Sequence, residues 1–240
     1  SMACFIEAPV RSAPSSVRNA SPSAARRTRI ASPPMNRRSN VWVGSPSAII
    51  TKLDRSTTFE IGRSPTARSR RRIQGGDGAT NADVKSAVDA GVEILNYRGH
   101  GTQNYWGPSW NVGYEDYSTT DAHALENGDR TPVVFSIACY TAALDFSSEC
   151  LGEAFVKDDD SAVAFLGATR PSYTIPNHLF DRYLFEAVGD EEILDIGWAL
   201  NYANARLIES YGPTSVYMDN LRMYLWLGDP ALTINIIPSE

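Results

Sequence analysis

Hydrophobic positions along this chain fall into two regimes. From Asn81 onward they recur at regular spacing. Val84, Ala87, Val88 and Ala90 make an apolar stripe, which predicts a helix over residues 82–90, capped by Thr80 or Asn81 and stopped by Gly91. Residues 92–97 then read as a buried strand. A long irregular segment dense in Trp, Tyr, Gly and Asn follows (101–121), and then a short helix (122–127). Residues 133–138 form a continuous apolar run, which suits a parallel strand covered on both faces. The pattern continues with a helix over 149–157 that turns Leu151, Ala154 and Phe155 inward, a strand over 161–167, and amphipathic helices over 177–188 and 193–210. The tail, 221–236, has short apolar runs split by the turn signal Gly228-Asp229-Pro230, which predicts a terminal hairpin or edge strand. Strands and helices alternating at this spacing predict an α/β fold with a mostly parallel sheet flanked by helices.

The first 75 residues lack this periodicity, and charge divides the chain at the same place. Residues 1–75 hold fourteen Arg and Lys against three acidic residues (Glu7, Asp54, Glu60), a net of +11; the rest holds eight basic and 25 acidic residues, a net of −17, giving −6 for all 240 residues. The arm is rich in Ser, Pro and Arg. Such a composition buries too little apolar surface to offset its ordering entropy, so a largely disordered or atypical arm (1–75) ahead of a folded domain (76–240) is expected. Arg68-Ser69-Arg70-Arg71-Arg72 is its best candidate for nucleic-acid contact, but no interleaved aromatics accompany it, and a solvated segment is the better reading. No stretch approaches the ~20 apolar residues of a membrane span, and none reads as a cleavable leader. Cys4, Cys139 and Cys150 make no disulfide framework, so one of them is better explained by chemistry.

The chemistry gathers at two strand ends. His100 lies between Gly99 and Gly101 just past the strand over 92–97, where glycines let the backbone approach a ligand. Cys139 ends the strand over 133–138, in the same loop layer, where an imidazole within reach could activate its thiol. His123 and His178 fall inside helical segments and read as ordinary, and Cys150 reads as packing at a helix start. No zinc-ligand spacing, phosphate-binding Gly-Lys-Ser/Thr loop or Gly-x-Ser-x-Gly elbow is present, which leaves metal-free acyl transfer through Cys139.

Several segments together resemble the gingipain family of cysteine peptidases, within the caspase-like clan. They are Asn96-Tyr97-Arg98-Gly99-His100-Gly101, Ile137-Ala138-Cys139, Cys150-Leu151-Gly152-Glu153-Ala154-Phe155, Ala164-Phe165-Leu166-Gly167-Ala168-Thr169 and Leu227-Gly228-Asp229-Pro230-Ala231-Leu232, in order over about residues 80–236. The resemblance implies a three-layer α/β/α caspase-like sheet. It implies Cys139 as nucleophile, His100 as general acid/base, the backbone N–H groups of Gly101 and Cys139 as oxyanion hole, and Tyr173 as an aromatic wall of the substrate pocket. It implies protein or peptide substrates, secretion or display at the cell surface, and no cofactor for catalysis. Structural calcium also fits the resemblance, with Asp116, Asp158 and Asp159 available, although their spacing is no recognised calcium loop. Family domains carry a substantial α/β region before the histidine, which residues 1–75 do not resemble. Within those residues Asp54 and Glu60 are the nearest acidic candidates for orienting His100. Three functions compete: an endopeptidase, a sortase-like transpeptidase, and an inactive caspase-like interaction module.

Overall fold

The computed structural model describes residues 58–62, 71–74 and 78–234. Two strands come first, β1 (Thr58–Gly62) and β2 (Arg71–Gln74). Both lie inside the basic arm, for which the hydrophobic pattern predicts no element; the expectation of disorder for the rest of that arm lies outside the described residues.

Helix α1 (Asn81–Asp89) starts at Thr80, whose backbone N–H and hydroxyl both donate to the Asp83 carboxylate, closing a capping box. Its inward residues are Val84, Ala87 and Val88, as the periodicity predicts. Strand β3 (Ile94–Arg98) follows. The aromatic-rich segment after it is only partly irregular: β4 (Tyr105–Trp106) pairs antiparallel with β5 (Tyr117–Ser118). Helix α2 (Thr119–His123) begins three residues before the expected 122–127, because the Asp121 carboxylate accepts from both the N–H and the hydroxyl of Ser118 and fixes the start there. Strand β6 (Val133–Ile137), helix α3 (Leu151–Lys157) and strand β7 (Ala164–Ala168) come next, then α4 (Thr174–Gly189), α5 (Ile196–Tyr211), α6 (Ser215–Met223) and β8 (Tyr224–Leu227). Helix α6 has no counterpart in the predicted pattern: Asn220 is its one buried residue, so its sequence carries little apolar stripe.

The main sheet has the order β2-β1-β3-β6-β7-β8. Its centre, β3-β6-β7, is parallel, and antiparallel strands complete both sides. β8 is the predicted edge strand.

The central strands are buried almost throughout, and the alternating direction of their side chains assigns each residue to a layer. Leu95, Tyr97, Val134, Ala138 and Phe165 face one way, onto α1 and α3. Ile94, Val133, Phe135, Ile137 and Leu166 face the other, onto Phe180 and Leu184 of α4 and Ala199 and Ala203 of α5. The result is the expected three-layer α/β/α arrangement. On the α1/α3 side an aromatic stack fills the space below the His100 loop: Trp106 lies 4.5 Å from Tyr97, 5.0 Å from Tyr117 and 5.3 Å from Phe155 by ring centroid. Among the described residues no helix is long and apolar enough to cross a membrane.

Candidate active site

Parallel pairing of β3 with β6 ends at Arg98 opposite Ile137, and His100 and Cys139 each lie two residues further on. The two loops that leave the sheet here are fastened to each other. Gly99 N–H donates to the Ile137 carbonyl at 3.4 Å. Gly101 packs so closely on the Cys139 backbone that a Cβ there would lie 2.7 Å from the Cys139 carbonyl oxygen and 2.9 Å from both Ala138 Cβ and Thr141 Cγ2. Only glycine allows that approach.

Other bonds hold each loop in shape. The His100 carbonyl accepts from the Tyr97 hydroxyl at 2.7 Å and from Gly107 N–H at 3.0 Å, while Thr102 N–H donates to the Tyr105 carbonyl. This short ladder brackets Gly101, which bridges to Trp106. Trp106 Nε1 donates to Ser136 Oγ on β6, and Ser136 Oγ lies 2.8 Å from Thr141 Oγ1 beyond the cysteine. The N-terminus of α3 secures both loops: Leu151 N–H donates to the Gln103 carbonyl and Gly152 N–H to that of Thr141.

Tyr140, next to the cysteine, has φ of 62°. A non-glycine residue there costs on the order of 1–3 kcal/mol, held by the surrounding structure. Gln103, Tyr140, Ala143, Asp145, Phe146 and Arg170 surround an open depression of about 350 Å³ beside this turn.

His100 is half-buried, and burial holds its imidazole below the ordinary value of 6.5, so the neutral ring prevails at neutral pH. Cys139 differs from expectation. The sequence suggests a thiol open to the loop layer, but Cys139 has 0 % relative exposure. Strand alternation turns its side chain to the α4 face, where the segment after β7 lies against it: Ser172 N–H donates to Sγ at 3.3 Å, and Ser172 Oγ is 3.6 Å away. Tyr173 follows as the N-cap residue of α4, half-buried, with its N–H donated to Asn220 Oδ1.

The remaining candidates are placed as follows. Cys150 is buried at the N-cap of α3, where its N–H donates to Glu153 and burial pushes its thiol up to about 11. His178 accepts from Arg98 at 2.5 Å, and burial, Arg98 and Arg182 hold it down at about 4. His123 is paired with Glu149 and Asp158 near the surface. Of the calcium candidates, Asp158 is engaged by His123, Asp116 accepts from Ser109 N–H and Asp159 is exposed; the described residues contain no group of three or more His, Cys, Asp or Glu suited to a metal. Glu60 pairs with Asn96 in the sheet register, whereas Asp54 lies outside the described residues.

Sequence reasoning misses Ser172, Asn177 and Tyr224, which line up behind the sulfur. A signal for one of them exists. Asn177 occupies a position of α4 whose neighbours on the same stripe, Phe180, Leu184 and Val188, are apolar and buried.

Among solved structures, the crystal structure of the Arg specific cysteine proteinase gingipain R matches with a TM-score of 0.59 at 22 % identity, over 67 % of this chain and 37 % of that one. A complex of the pro- and mature domains of a Porphyromonas gingivalis protease gives the same TM-score at 20 % identity. Both establish the caspase-like fold. By sequence, Gingipain R2 of Porphyromonas gingivalis is 31 % identical over 80 residues, 33 % of this chain and 10 % of the relative. Lys-gingipain of the same organism is 30 % identical over 90 residues, 37 % of this chain and 5 % of the relative. The chain therefore spans a small fraction of the curated relatives it matches. The family match itself starts upstream of residue 80, inside the basic arm. Over residues 23–235 the sequence matches Peptidase family C25, and the chain belongs to that family.

Proposed function

We propose that this chain is a cysteine endopeptidase acting through Cys139 and His100. The observation that carries the reading is the contact of Gly101 with the Cys139 backbone, which ties the two loops together at equal offsets beyond paired parallel strands. In this reading His100 takes the proton of the Cys139 thiol, the thiolate attacks the scissile carbonyl, and the Gly101 and Cys139 N–H groups stabilise the oxyanion. Collapse of the tetrahedral intermediate breaks the C–N bond as His100 protonates the leaving amine. Water, deprotonated by His100, then attacks the thioester and releases the carboxylic acid and the thiol. An amine in place of that water would give transpeptidation. Tyr173 lines the pocket for the residue before the cleaved bond, and the net charge of −17 on residues 76–240 favours cationic substrates. The site of action is outside the cell or at its surface, as the resemblance implies.

Complete burial of Cys139 is the one observation favouring the inactive-module reading. A small thiol-selective alkylating reagent separates the two. Under native conditions Cys139 is expected to react faster than Cys150, whose thiol is held near 11, and to lose the advantage in His100→Ala. Equal, slow labelling of both cysteines contradicts the peptidase.

A further inference from the structure

Behind Cys139 a chain of hydrogen bonds runs from the edge strand to the sulfur. Tyr224, the first residue of β8, donates its hydroxyl to Asn177 Oδ1 at 2.9 Å. Asn177 Nδ2 donates to Ser172 Oγ at 2.7 Å, and Ser172 Oγ is 3.6 Å from Cys139 Sγ. Asn177 and Ser172 are 2 % and 0 % exposed. Two neighbouring polar side chains at such depth, one of them on a helix face otherwise given to packing, carry a desolvation cost that packing alone does not require.

We infer that Tyr224, Asn177 and Ser172 form a one-way relay of donors that holds the sulfur of Cys139 and stabilises its anionic form. The inference rests on the peptidase reading above. The direction of each bond follows from donor and acceptor capacity. A phenol far from ionisation donates, and burial together with the nearby Cys139 and Asp181 raises Tyr224 well above its ordinary value despite a bond to Ser172. Its proton goes to the amide oxygen of Asn177, which commits the Nδ2 hydrogens to Ser172. With its oxygen accepting from Asn177, Ser172 has one proton to give, to the Tyr224 oxygen or to the sulfur. When Cys139 is a thiolate, that anion is the strongest acceptor within reach. Ser172 N–H, 3.3 Å from Sγ, adds a second donor from the same residue. The relay passes from β8 through α4 to the cysteine, so two elements distant in sequence set the position of the nucleophile.

Ser172 touches the reacting atom; Asn177 and Tyr224 are positioning residues that act through it. Their role is separable from packing by reversing polarity without changing shape. In Asn177→Asp a carboxylate replaces the amide, accepts from both Tyr224 and Ser172, and draws the Ser172 proton away from the sulfur. The test compares full-length wild type, Ser172→Ala, Asn177→Asp and Tyr224→Phe in two assays. One is the rate of iodoacetamide modification at Cys139, read by peptide mapping with Cys150 as internal reference. The other is the split between kcat and KM on a cleaved peptide. Expected are losses of roughly 10- to 100-fold in alkylation rate and kcat for Ser172→Ala and Asn177→Asp, the size of one hydrogen bond to a charged group, with KM little changed. Tyr224→Phe loses less, because Asn177 and Ser172 remain, and it guards the test against a folding defect in the others. Wild-type rates at Cys139 in folded Ser172→Ala and Asn177→Asp overturn the relay while leaving the peptidase standing. A wild-type Cys139 no faster than Cys150 overturns both.

Discussion

At the scale of single residues the site depends on one missing methyl group. A side chain at position 101 must displace the Cys139 carbonyl or the loop beside it. Gly101→Ala is therefore expected to cost about 1–3 kcal/mol of stability, as overpacking does, and to lower peptide cleavage far more than that loss of folded protein explains. Chemical denaturation set beside initial rates measures both, and cleavage falling only in step with stability contradicts the account. His100 supplies a second expectation. Burial penalises the imidazolium, so the neutral ring survives to lower pH, and the acid limb of kcat/KM should fall below the ordinary histidine value of 6.5. A pH–rate profile with its acid limb at or above 6.5 counts against that environment. Gly99-His100-Gly101 and Cys139 were legible in the sequence because glycine and chemistry-bearing residues at strand ends stand out locally. Ser172 and Tyr224 were not, since a serine in a loop and a tyrosine in an edge strand acquire meaning only when folding brings them to the sulfur.

Among the elements, the starts of α1, α2 and α3 were fixed by carboxylates at the third helical position. Thr80→Ala removes the hydroxyl from the α1 capping box and should cost about 1 kcal/mol, read as a drop in Tm with the active site untouched. The same device moved α2 away from its predicted range, because apolar spacing alone does not register the Ser118–Asp121 pair. Helix α4 carries a pH dependence. Folding lowers His178 from 6.5 to about 4, so between those values the unfolded chain binds a proton that the folded chain does not. Stability is full above 6.5 and falls as pH drops towards 4; His123, raised by Asp158 and Glu149, works in the opposite sense but near the surface, where solvent weakens it. His178→Gln, which keeps a side chain able to face Arg98, should flatten the fall in Tm between pH 7 and 5. An unchanged slope would assign the effect elsewhere.

For the whole molecule, the central parallel strands and their flanking helices were readable because continuous apolar runs have few alternatives to a doubly covered sheet. β1 and β2 were not. Ser, Pro and Arg dominate the segment around them, and the strands pair with β3 or with each other through backbone bonds that composition does not reveal. The family match likewise begins at residue 23, inside this charged segment. What the assembled sheet achieves is to bring two loops separated in sequence into a fixed contact above its edge. The most direct test is cleavage of a peptide library by the purified chain and by its Cys139→Ala and His100→Ala forms. The account predicts discrete cleavage by the wild type, absent from Cys139→Ala and strongly reduced in His100→Ala. No cleavage by the wild type, or cleavage that persists in Cys139→Ala, would contradict it.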